Sequence, residues 1–410
     1  MSRLLEGIRV VESAVLFNGD SVGALLADMG ADVIKLESPP RGDYIRDFLG
    51  QITPHHSPAH VEVNRNKRSV LLDLRDPAAL DAAWKLLATA DIFVDGNTAG
   101  ACDRLGISFA EQAARKPDIV YVQYTGFGAT GPYANLPTHG EMMNALVGAT
   151  PTVPDADGWL HKVPDDGPYG GTTSGGEGTA AGAPHAAMQA VAALVRRDRT
   201  GEGAYIDMAG SDAVIAQAWV ASTYLLNDHR ITDRSSMSGD GHRGAKYAFY
   251  ATADGRAVLF CCIEDKFWRK FCAAVGREDL IADASRANGS PVDFGRDSDQ
   301  LRAELATIFS SRTVAEWMEV ATANRLPLGP AYPDLLDAVE QDPHLRRRGV
   351  IQHGEHPDAG PFTYVVAPGE VAGQPWDLRH PAPKLGEHTR EILTELGIGS
   401  EALGRLVPAG

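Results

Sequence analysis

Short apolar runs alternate with helix-like periodicity over the first 125 residues. The apolar runs predict strands, and between them apolar residues recur at helical spacing, as they do from Pro77 to Leu87. The predicted strands are 8–12, 33–36, 69–74, 92–94 and 119–124, and the predicted helices are 21–29, 77–87 and 109–115. Repeated strand–helix units indicate an α/β fold in which helices cover a parallel sheet.

The pattern changes between residues 125 and 182, where Gly, Pro, Thr and Asp are frequent and periodicity is weak. A long irregular stretch inside a compact protein is usually functional or mobile. Helical patterns return at 186–197 and 212–226, with a predicted strand at 204–208 between them.

The next segment has a different pattern of predicted strands and helices, which indicates a smaller α+β domain. Residues 247–263 predict a hairpin that turns at Asp254–Gly255, followed by helices at 266–275 and 301–309. The tail contains an extended, proline-punctuated segment at 357–383 and a predicted helix near 388–396. The expected boundaries are therefore 1–227, 228–328 and 329–410.

Composition narrows the possible partners and compartments. The 410 residues include 54 acidic and 38 basic side chains, for a net charge of −16, so neither nucleic acid nor a membrane is expected as a main partner. The four cysteines form no CxxC pair, which argues against a structural zinc site and fits a reducing compartment. The first ten residues lack the apolar core of a signal peptide, and we expect a cytoplasmic protein.

Two short motifs are better explained as loops than as sites. Residues 126–131 spell GxGxxG after a predicted strand, but Pro132 and Pro137 follow instead of the helix that a dinucleotide site needs. Residues 171–175 resemble a nucleophile elbow, but Ser174 stands in the wrong position for GxSxG.

Two polar clusters precede the third predicted strand. His55, His56 and His60 are interrupted by Pro58, which predicts a surface loop rather than a metal site. The basic run 64–68 predicts a solvated loop, with a phosphate site as the alternative. In that alternative, four arginines from neighbouring segments would converge on one edge: Arg41, Arg46, Arg75 and Arg104.

Seven segments together resemble the class III CoA-transferases, the CaiB/BaiF-like family that groups formyl-CoA and carnitine CoA-transferases with α-methylacyl-CoA racemase. The resemblance extends over nearly the whole chain, in order. The segments are 5–12, 27–37, 64–74, 126–133, 199–203, 342–345 and 382–389.

The resemblance implies a Rossmann-like large domain, a small domain and a C-terminal segment that returns to the large domain. It also implies an interlocked dimer in which two chains thread through each other. CoA would lie against the large domain as part of the substrate, with no tightly bound cofactor. By position, Leu16, Leu72, Arg75 and Arg104 match family CoA contacts, and Arg75 replaces a lysine.

The chain departs from the family at the catalytic positions. Transferases of the family use an aspartate about twenty residues before the Thr-Gly-x-Gly turn, and Thr179 stands there. Glu177 is the nearest acid and becomes the candidate nucleophile. Racemases of the family place a His-Asp pair in the preceding loop; here His139 is followed by Gly140 and then Glu141.

Three functions remain open on these residues. The first is CoA transfer from an acyl-CoA to a carboxylic acid acceptor through Glu177. The second is removal and return of the α-proton of an acyl-CoA by His139 with Glu177 or Glu141. In the third, the chain is a CoA-binding subunit without chemistry of its own, and a paralogue supplies the aspartate in a heteromer instead of a homodimer.

Overall fold

The computed structural model describes residues 4–162, 178–232, 244–282, 292–295 and 299–407. The chain divides into two units, one formed by Met1–Leu225 with Arg348–Gly410 and the other by Leu226–Arg347. Within the described residues, no helix combines the length and the apolar character needed to cross a membrane.

A parallel sheet forms the centre of the first unit. The strands of its first part are β1 (Arg9–Ala14), β2 (Asp32–Glu37), β3 (Lys67–Leu71), β4 (Ile92–Gly96), β5 (Val120–Thr125), β6 (Thr152–Pro154), β7 (Leu160–Lys162) and β8 (Ala204–Ala209). Six of them form one sheet in the order β3-β2-β1-β4-β5-β8, and β6 pairs with β7 in a separate hairpin. The predicted α/β class is thereby confirmed.

The strand order creates a switch point between β1 and β4. The chain adds β2 and β3 on one side of β1, then returns to add β4, β5 and β8 on the other side. In open α/β sheets, ligands bind outside the carboxyl ends of the strands at such a point. The fold alone therefore directs attention to the residues that follow β1 and β4.

Helices cover both faces of the sheet. The helices of the first part are α1 (Phe17–Asp28), α2 (Pro58–Val63), α3 (Pro77–Leu87), α4 (Ala101–Arg104), α5 (Phe109–Arg115), α6 (Gly140–Leu146), α7 (Gly178–Thr200), α8 (Gly210–Gln217) and α9 (Trp219–Asn227), with short 3₁₀ turns at Tyr44–Asp47 and Asp228–Arg230. Neighbouring strand residues face opposite sides, so Val10 packs with α1 and α7, whereas Val11 packs with α3. Both faces are therefore buried, as a parallel sheet requires.

The second unit contains a small antiparallel sheet. Its strands are β9 (Ala248–Ala251), β10 (Ala257–Phe260) and β11 (Leu328–Ala331), and the helices are α10 (Asp265–Val275), α11 (Asp279–Ala282), α12 (Asp299–Phe309), α13 (Val314–Asn324), α14 (Leu335–Gln341) and α15 (Pro343–Arg348). The hairpin of β9 and β10 confirms the turn predicted at Asp254–Gly255. Aromatic side chains fill its core, with Phe271 and Phe309 stacked at 5.6 Å between ring centroids.

The C-terminal segment adds elements to the first unit. They are β12 (Ile351–His356), β13 (Gly360–Val365), α16 (Thr389–Glu395) and α17 (Ser400–Leu406). Strand β13 lies inside 357–383, so part of this proline-punctuated segment is paired in a hairpin. The strand forms because Tyr364 is fully buried beside Trp376, and this burial stabilises a hairpin that the prolines leave intact.

The basic run 64–68 is neither a solvated loop nor a phosphate site. Arg65 lies 2.7 Å from Asp28, Lys67 lies 2.8 Å from Glu12 and Arg68 lies 2.8 Å from Asp32. All three basic side chains are nine-tenths or more buried. These cations therefore neutralise acids of β1, α1 and β2 inside the fold, because an unpaired buried charge is strongly unfavourable.

Candidate active site

A cleft of about 680 Å³ opens at the carboxyl ends of β1, β4 and β5. The lining comprises 15–18 after β1, 96–99 after β4, 124–126 at the end of β5, 136–143 around the start of α6, and Thr179 of α7, together with Tyr44, Phe48, Leu49 and Ala134. It therefore lies at the switch point of the sheet. Among the described lining residues, Glu141 is the one carboxylate, and no lysine or arginine lines the cleft.

The start of α6 brings two of the predicted site residues into this cleft. His139 immediately precedes the helix, is exposed, and donates its backbone N–H to Met142 Sδ at 3.4 Å. Glu141 lies in the first turn, and its carboxylate accepts a 2.9 Å hydrogen bond from Lys162. Its side chain is 68% exposed, so this ion pair contributes little to stability and leaves Glu141 free to reorient.

The start of α7 is fixed against the floor of the cleft. The Tyr124 hydroxyl donates to the Gly178 carbonyl oxygen at 2.5 Å, and the Gly178 N–H donates to Asn144 Oδ1 at 2.9 Å. A Cβ at Gly178 would stand 2.6 Å from the Cβ of Met143, so the close approach requires glycine. Thr179 follows, buried and lining the cleft.

Glu177, the candidate nucleophile, lies outside the described residues. In sequence it directly precedes Gly178, the first described residue of α7. Thr179, two residues further along the chain, lines the cleft.

The four predicted CoA contacts do not lie together. Leu16 lines the cleft, whereas Leu72 is buried in the core on the α3 side of the sheet. Arg75 is 77% exposed and pairs with Asp73 at 2.8 Å, and Arg104 is an exposed residue at the end of α4. The cleft thus contains one of the four residues.

Asp95 is a buried acid beside the cleft that the sequence patterns did not single out. It is the penultimate residue of β4, is 1% exposed, and accepts hydrogen bonds from Tyr121 Oη at 2.8 Å and from the Asn97 N–H at 3.0 Å. Burial raises the pKa of its carboxyl group against these hydrogen bonds. Asn97 lines the cleft and also donates to the Ser13 carbonyl oxygen at 2.8 Å. An acid at the end of a buried strand, just before Gly96 and Asn97, is the sequence feature that could have identified it.

A second cavity of about 850 Å³ shares Tyr44 and Phe48 with the cleft. His56 lies in it and is buried, as is His60, so the prediction of a surface loop for these histidines is wrong; His55 is exposed. They are buried because α2 packs His60 against Arg46, whose Nη1 lies 3.0 Å from His60 Nε2.

The described His, Cys, Asp and Glu side chains form one group with metal-ligand spacing, made of His56, His356 and Asp358. His356 cannot serve in it. Its Nε2 donates to the Ala382 carbonyl oxygen, and its Nδ1 accepts the N–H groups of Asp358 and Ala359. No lone pair of His356 remains for a metal ion.

Comparison with known proteins gives consistent matches over the chain. The sequence model of CoA-transferase family III matches residues 5–389. The succinate–glutarate CoA-transferase of Agrobacterium fabrum is 29% identical, over 96% of this chain and 95% of that protein. A formyl-CoA:oxalate CoA-transferase of Rhodopseudomonas palustris is 26% identical, over 100% and 97%.

Two further matches concern assembly and fold. The beta subunit of a succinyl-CoA–L-malate CoA-transferase from Chloroflexus aurantiacus is 28% identical, over 98% of this chain and 96% of that subunit. The crystal structure of a CaiB/BaiF family protein from Brucella suis superposes with a TM-score of 0.68 at 26% identity, and the match covers 97% of this chain and 100% of that chain.

Proposed function

This chain belongs to CoA-transferase family III, and we propose that it transfers CoA from an acyl-CoA to a free carboxylic acid with Glu177 as the nucleophile. The observation that carries the proposal is the family match over residues 5–389, which includes the cleft at the switch point of the sheet. Acyl-CoA is a substrate here and not a resident cofactor.

The proposed reaction passes through a series of covalent intermediates on the Glu177 carboxylate. The Glu177 carboxylate attacks the thioester, which forms a mixed anhydride and releases the CoA thiolate. The thiolate then attacks the glutamyl carbonyl, which gives an enzyme thioester and frees the donor acid. The acceptor carboxylate attacks this thioester, and the thiolate finally attacks the acceptor acyl group. Glu177 is regenerated, and no oxidant or net proton is consumed.

Glu177 is proposed because Thr179 cannot form an acyl anhydride. Negative oxygens that develop along the path need N–H donors, and we assign these to one of two glycine-rich segments, 175–178 or 239–244. In the first of these, the Gly178 N–H already donates to Asn144, so it is committed to holding α7 in place.

A direct assay tests this function. Purified protein is incubated with an acyl-CoA and a second carboxylic acid, and hydroxylamine is added to capture activated acyl groups on the enzyme. The proposal expects transfer and an enzyme hydroxamate, and Glu177→Gln should lower turnover by about a thousandfold or more. Glu202→Gln, in an exposed pair with Arg196, provides the matched control. Full activity of Glu177→Gln would remove Glu177 from the mechanism.

A second candidate function uses residues that share the cleft. His139 and Glu141 both line it, and together with Glu177 they could remove and return an α-proton without a carboxylate acceptor. A third candidate, a non-catalytic subunit, draws support from the relative that is named a beta subunit. Transfer catalysed by the purified single chain would argue against that third candidate.

We propose that CoA extends from the cleft past Leu16 toward Arg75 and Arg104; Leu72, whose side chain is buried in the core, is not among the proposed contacts. Two exposed guanidinium groups suit the nucleotide phosphates, because each can donate a pair of hydrogen bonds. The double variant Arg75→Ala with Arg104→Ala should weaken CoA binding but leave binding of dephospho-CoA less affected. Equal losses for both ligands would contradict contacts to the ribose phosphate.

An interlocked dimer fits the surface of α9, whether its partner is a second copy or a paralogue. No described residue of this helix is buried, and Trp219, Tyr224 and Leu225 are 59–79% exposed. A continuous apolar face of this kind is unusual on a monomer. The dimer should survive dilution to nanomolar concentration in mass photometry, and a folded monomer there would contradict it.

The functional domains are proposed to follow 1–227, 228–328 and 329–410, with the last segment completing the large CoA-binding domain.

A further inference from the structure

Leu16 has an unusual backbone conformation at the edge of the cleft. It joins β1 to α1 with φ +60° and ψ −150°, a region that is almost restricted to glycine. Its side chain lines the cleft together with Phe17 and Asn18. A residue that carries a β-carbon is strained in this backbone conformation, so neighbouring groups must hold Leu16 in it.

Asp43 holds the backbone of Leu16. The Leu16 N–H donates to both carboxylate oxygens of Asp43, at 3.0 Å to Oδ1 and 3.1 Å to Oδ2. The same carboxylate accepts the Ile45 N–H at 2.9 Å, so it joins the turn after β1 to the 3₁₀ turn Tyr44–Asp47. Tyr44 also lines the cleft. One buried side chain therefore connects two walls of the same cavity.

Buried charges fix Asp43 in turn. Its side chain is 1% exposed, and Lys35 Nζ lies 3.0 Å from Oδ2. The Asp43 N–H donates to Glu37 Oε1 at 3.1 Å. Burial by itself would raise the pKa of Asp43, but the charge of Lys35 and the hydrogen bonds outweigh it and hold the pKa below its ordinary value. The carboxylate is thus an anion at neutral pH.

Asp20 shares Lys35 but not Leu16. It is fully buried in α1 and hydrogen-bonded to Lys35 and Asn64. Burial, followed by the charges of Asp43 and Glu12, raises the pKa of Asp20 well above its ordinary value despite Lys35. An asparagine keeps the shape of Asp20 and can donate a hydrogen bond to Asp43, whose carboxylate Asp20 contacts.

We propose that Asp43 is a positioning residue for acyl-CoA binding: it fixes Leu16 in its strained conformation and so sets the distance between two walls of the cleft. This inference rests on the proposed function, because it takes the cleft to be the acyl-CoA site. Asp43 does not contact the reacting atoms. Substitution of Asp43 should therefore weaken binding of the thioester without changing the rate of the chemical step.

A double-mutant cycle between Asp43 and Leu16 tests the inference. Asp43→Asn should raise the KM for acyl-CoA by roughly tenfold with kcat within about twofold, because hydrogen bonds to an anion are lost. Leu16→Gly removes the strain, since glycine adopts positive φ without a steric penalty. In the Leu16→Gly background, Asp43→Asn should therefore raise KM by less than about twofold.

Two further variants separate positioning from general stability. Asp20→Asn alters the same Lys35 cluster without touching Leu16, and it should leave KM unchanged. Asp43→Glu keeps the negative charge beside Lys35 but displaces the carboxylate from Leu16, and it should raise KM as Asp43→Asn does. The second variant serves as the test if Asp43→Asn does not fold, as judged by its thermal melting curve.

The outcomes distinguish this inference from the proposed function. An equal rise in KM in both Leu16 backgrounds, an unchanged KM, or a loss confined to kcat would overturn the positioning role. The dissociation constant of CoA, measured by calorimetry on the same four proteins of the cycle, should follow the same pattern. If the wild-type chain binds CoA but transfers nothing, the proposed function fails while the coupling between Asp43 and Leu16 is still measured.

Discussion

The hydroxyl group of Tyr124 donates a 2.5 Å hydrogen bond to the carbonyl oxygen of Gly178. The Tyr124 hydroxyl oxygen in turn accepts the Gly182 N–H at 3.1 Å. One buried side chain of β5 thus satisfies two polar groups in the first turns of α7, close to Pro184, which has no N–H of its own. The start of α7 is held at the cleft by this contact and by Asn144.

Removing this hydroxyl should reduce turnover. Tyr124→Phe removes the hydroxyl contacts to two buried backbone groups, which costs about 1–3 kcal/mol of unfolding free energy. Because Glu177 precedes the same helix, we expect kcat for CoA transfer to fall several-fold while the KM for acyl-CoA changes little. Tyr205→Phe, which loses a 2.6 Å bond to Gln123 away from the cleft, is the control. A lower melting temperature with unchanged kcat would show that Tyr124 serves stability alone.

Moving the nucleophile by two residues should restore part of the activity. Thr179 lines the cleft from the first turn of α7, where the helix dipole favours an anion. In the Glu177→Gln background, Thr179→Asp should raise transfer by roughly tenfold or more over Glu177→Gln alone. Turnover of the folded double variant at the level of Glu177→Gln would indicate that residue 179 does not face the thioester.

The transfer mechanism predicts an absence of α-proton exchange. A 2-methylacyl-CoA incubated in D₂O without an acceptor acid should gain no deuterium at its α-carbon, as measured by mass spectrometry. His139→Ala should leave this result unchanged. Deuterium uptake by the wild-type protein that disappears in His139→Ala would establish the proton-transfer function instead.

Acidification should lower the free energy of unfolding because His60 is buried in its neutral form. Burial, with the nearby charges of Arg46 and Lys35, lowers the pKa of His60 to about 2, so the residue is neutral in the folded protein. In the unfolded chain it takes up a proton below its ordinary pKa of 6.5. Its stabilising contribution is therefore complete above pH 6.5 and declines toward pH 2, by up to about 1.4 kcal/mol per pH unit.

Urea unfolding of wild type and of His60→Gln at pH 7.5 and 5.5 measures this effect. The variant should be less stable at pH 7.5 but should lose less stability on acidification. His55→Gln, at a site where the side chain is 74% exposed, is the matched control. An equal pH dependence in all three proteins would contradict the role of His60.

The sequence predicts the sheet because its signal is local. Strands buried on both faces are continuous apolar runs, and β1, β2, β4 and β5 each fall within a few residues of their prediction. The hairpin of the second unit follows from the Asp254–Gly255 turn. The start of α7 is less visible, because Gly178 and Gly182 suit the helix only through close contacts with Met143 and Tyr124.

Only part of the candidate site could be predicted from the sequence. His139 and Glu141 share the cleft as the family resemblance suggests, whereas Asp43 and Asp95 act by holding the backbone of other residues. Long-range pairing also hides the role of Lys67, since Glu12 lies 55 positions earlier and becomes its neighbour only in the folded sheet. Such pairs depend on strand order, which local patterns do not encode.

The most direct measurement captures the enzyme thioester itself. The protein is incubated with acyl-CoA alone and treated with borohydride, which reduces a glutamyl–CoA thioester to an alcohol, and peptide mass spectrometry locates the product. We expect the alcohol at Glu177, dependent on acyl-CoA and absent from Glu177→Gln. An alcohol at Glu141 or another acid, or active turnover with no reduced residue, would contradict it.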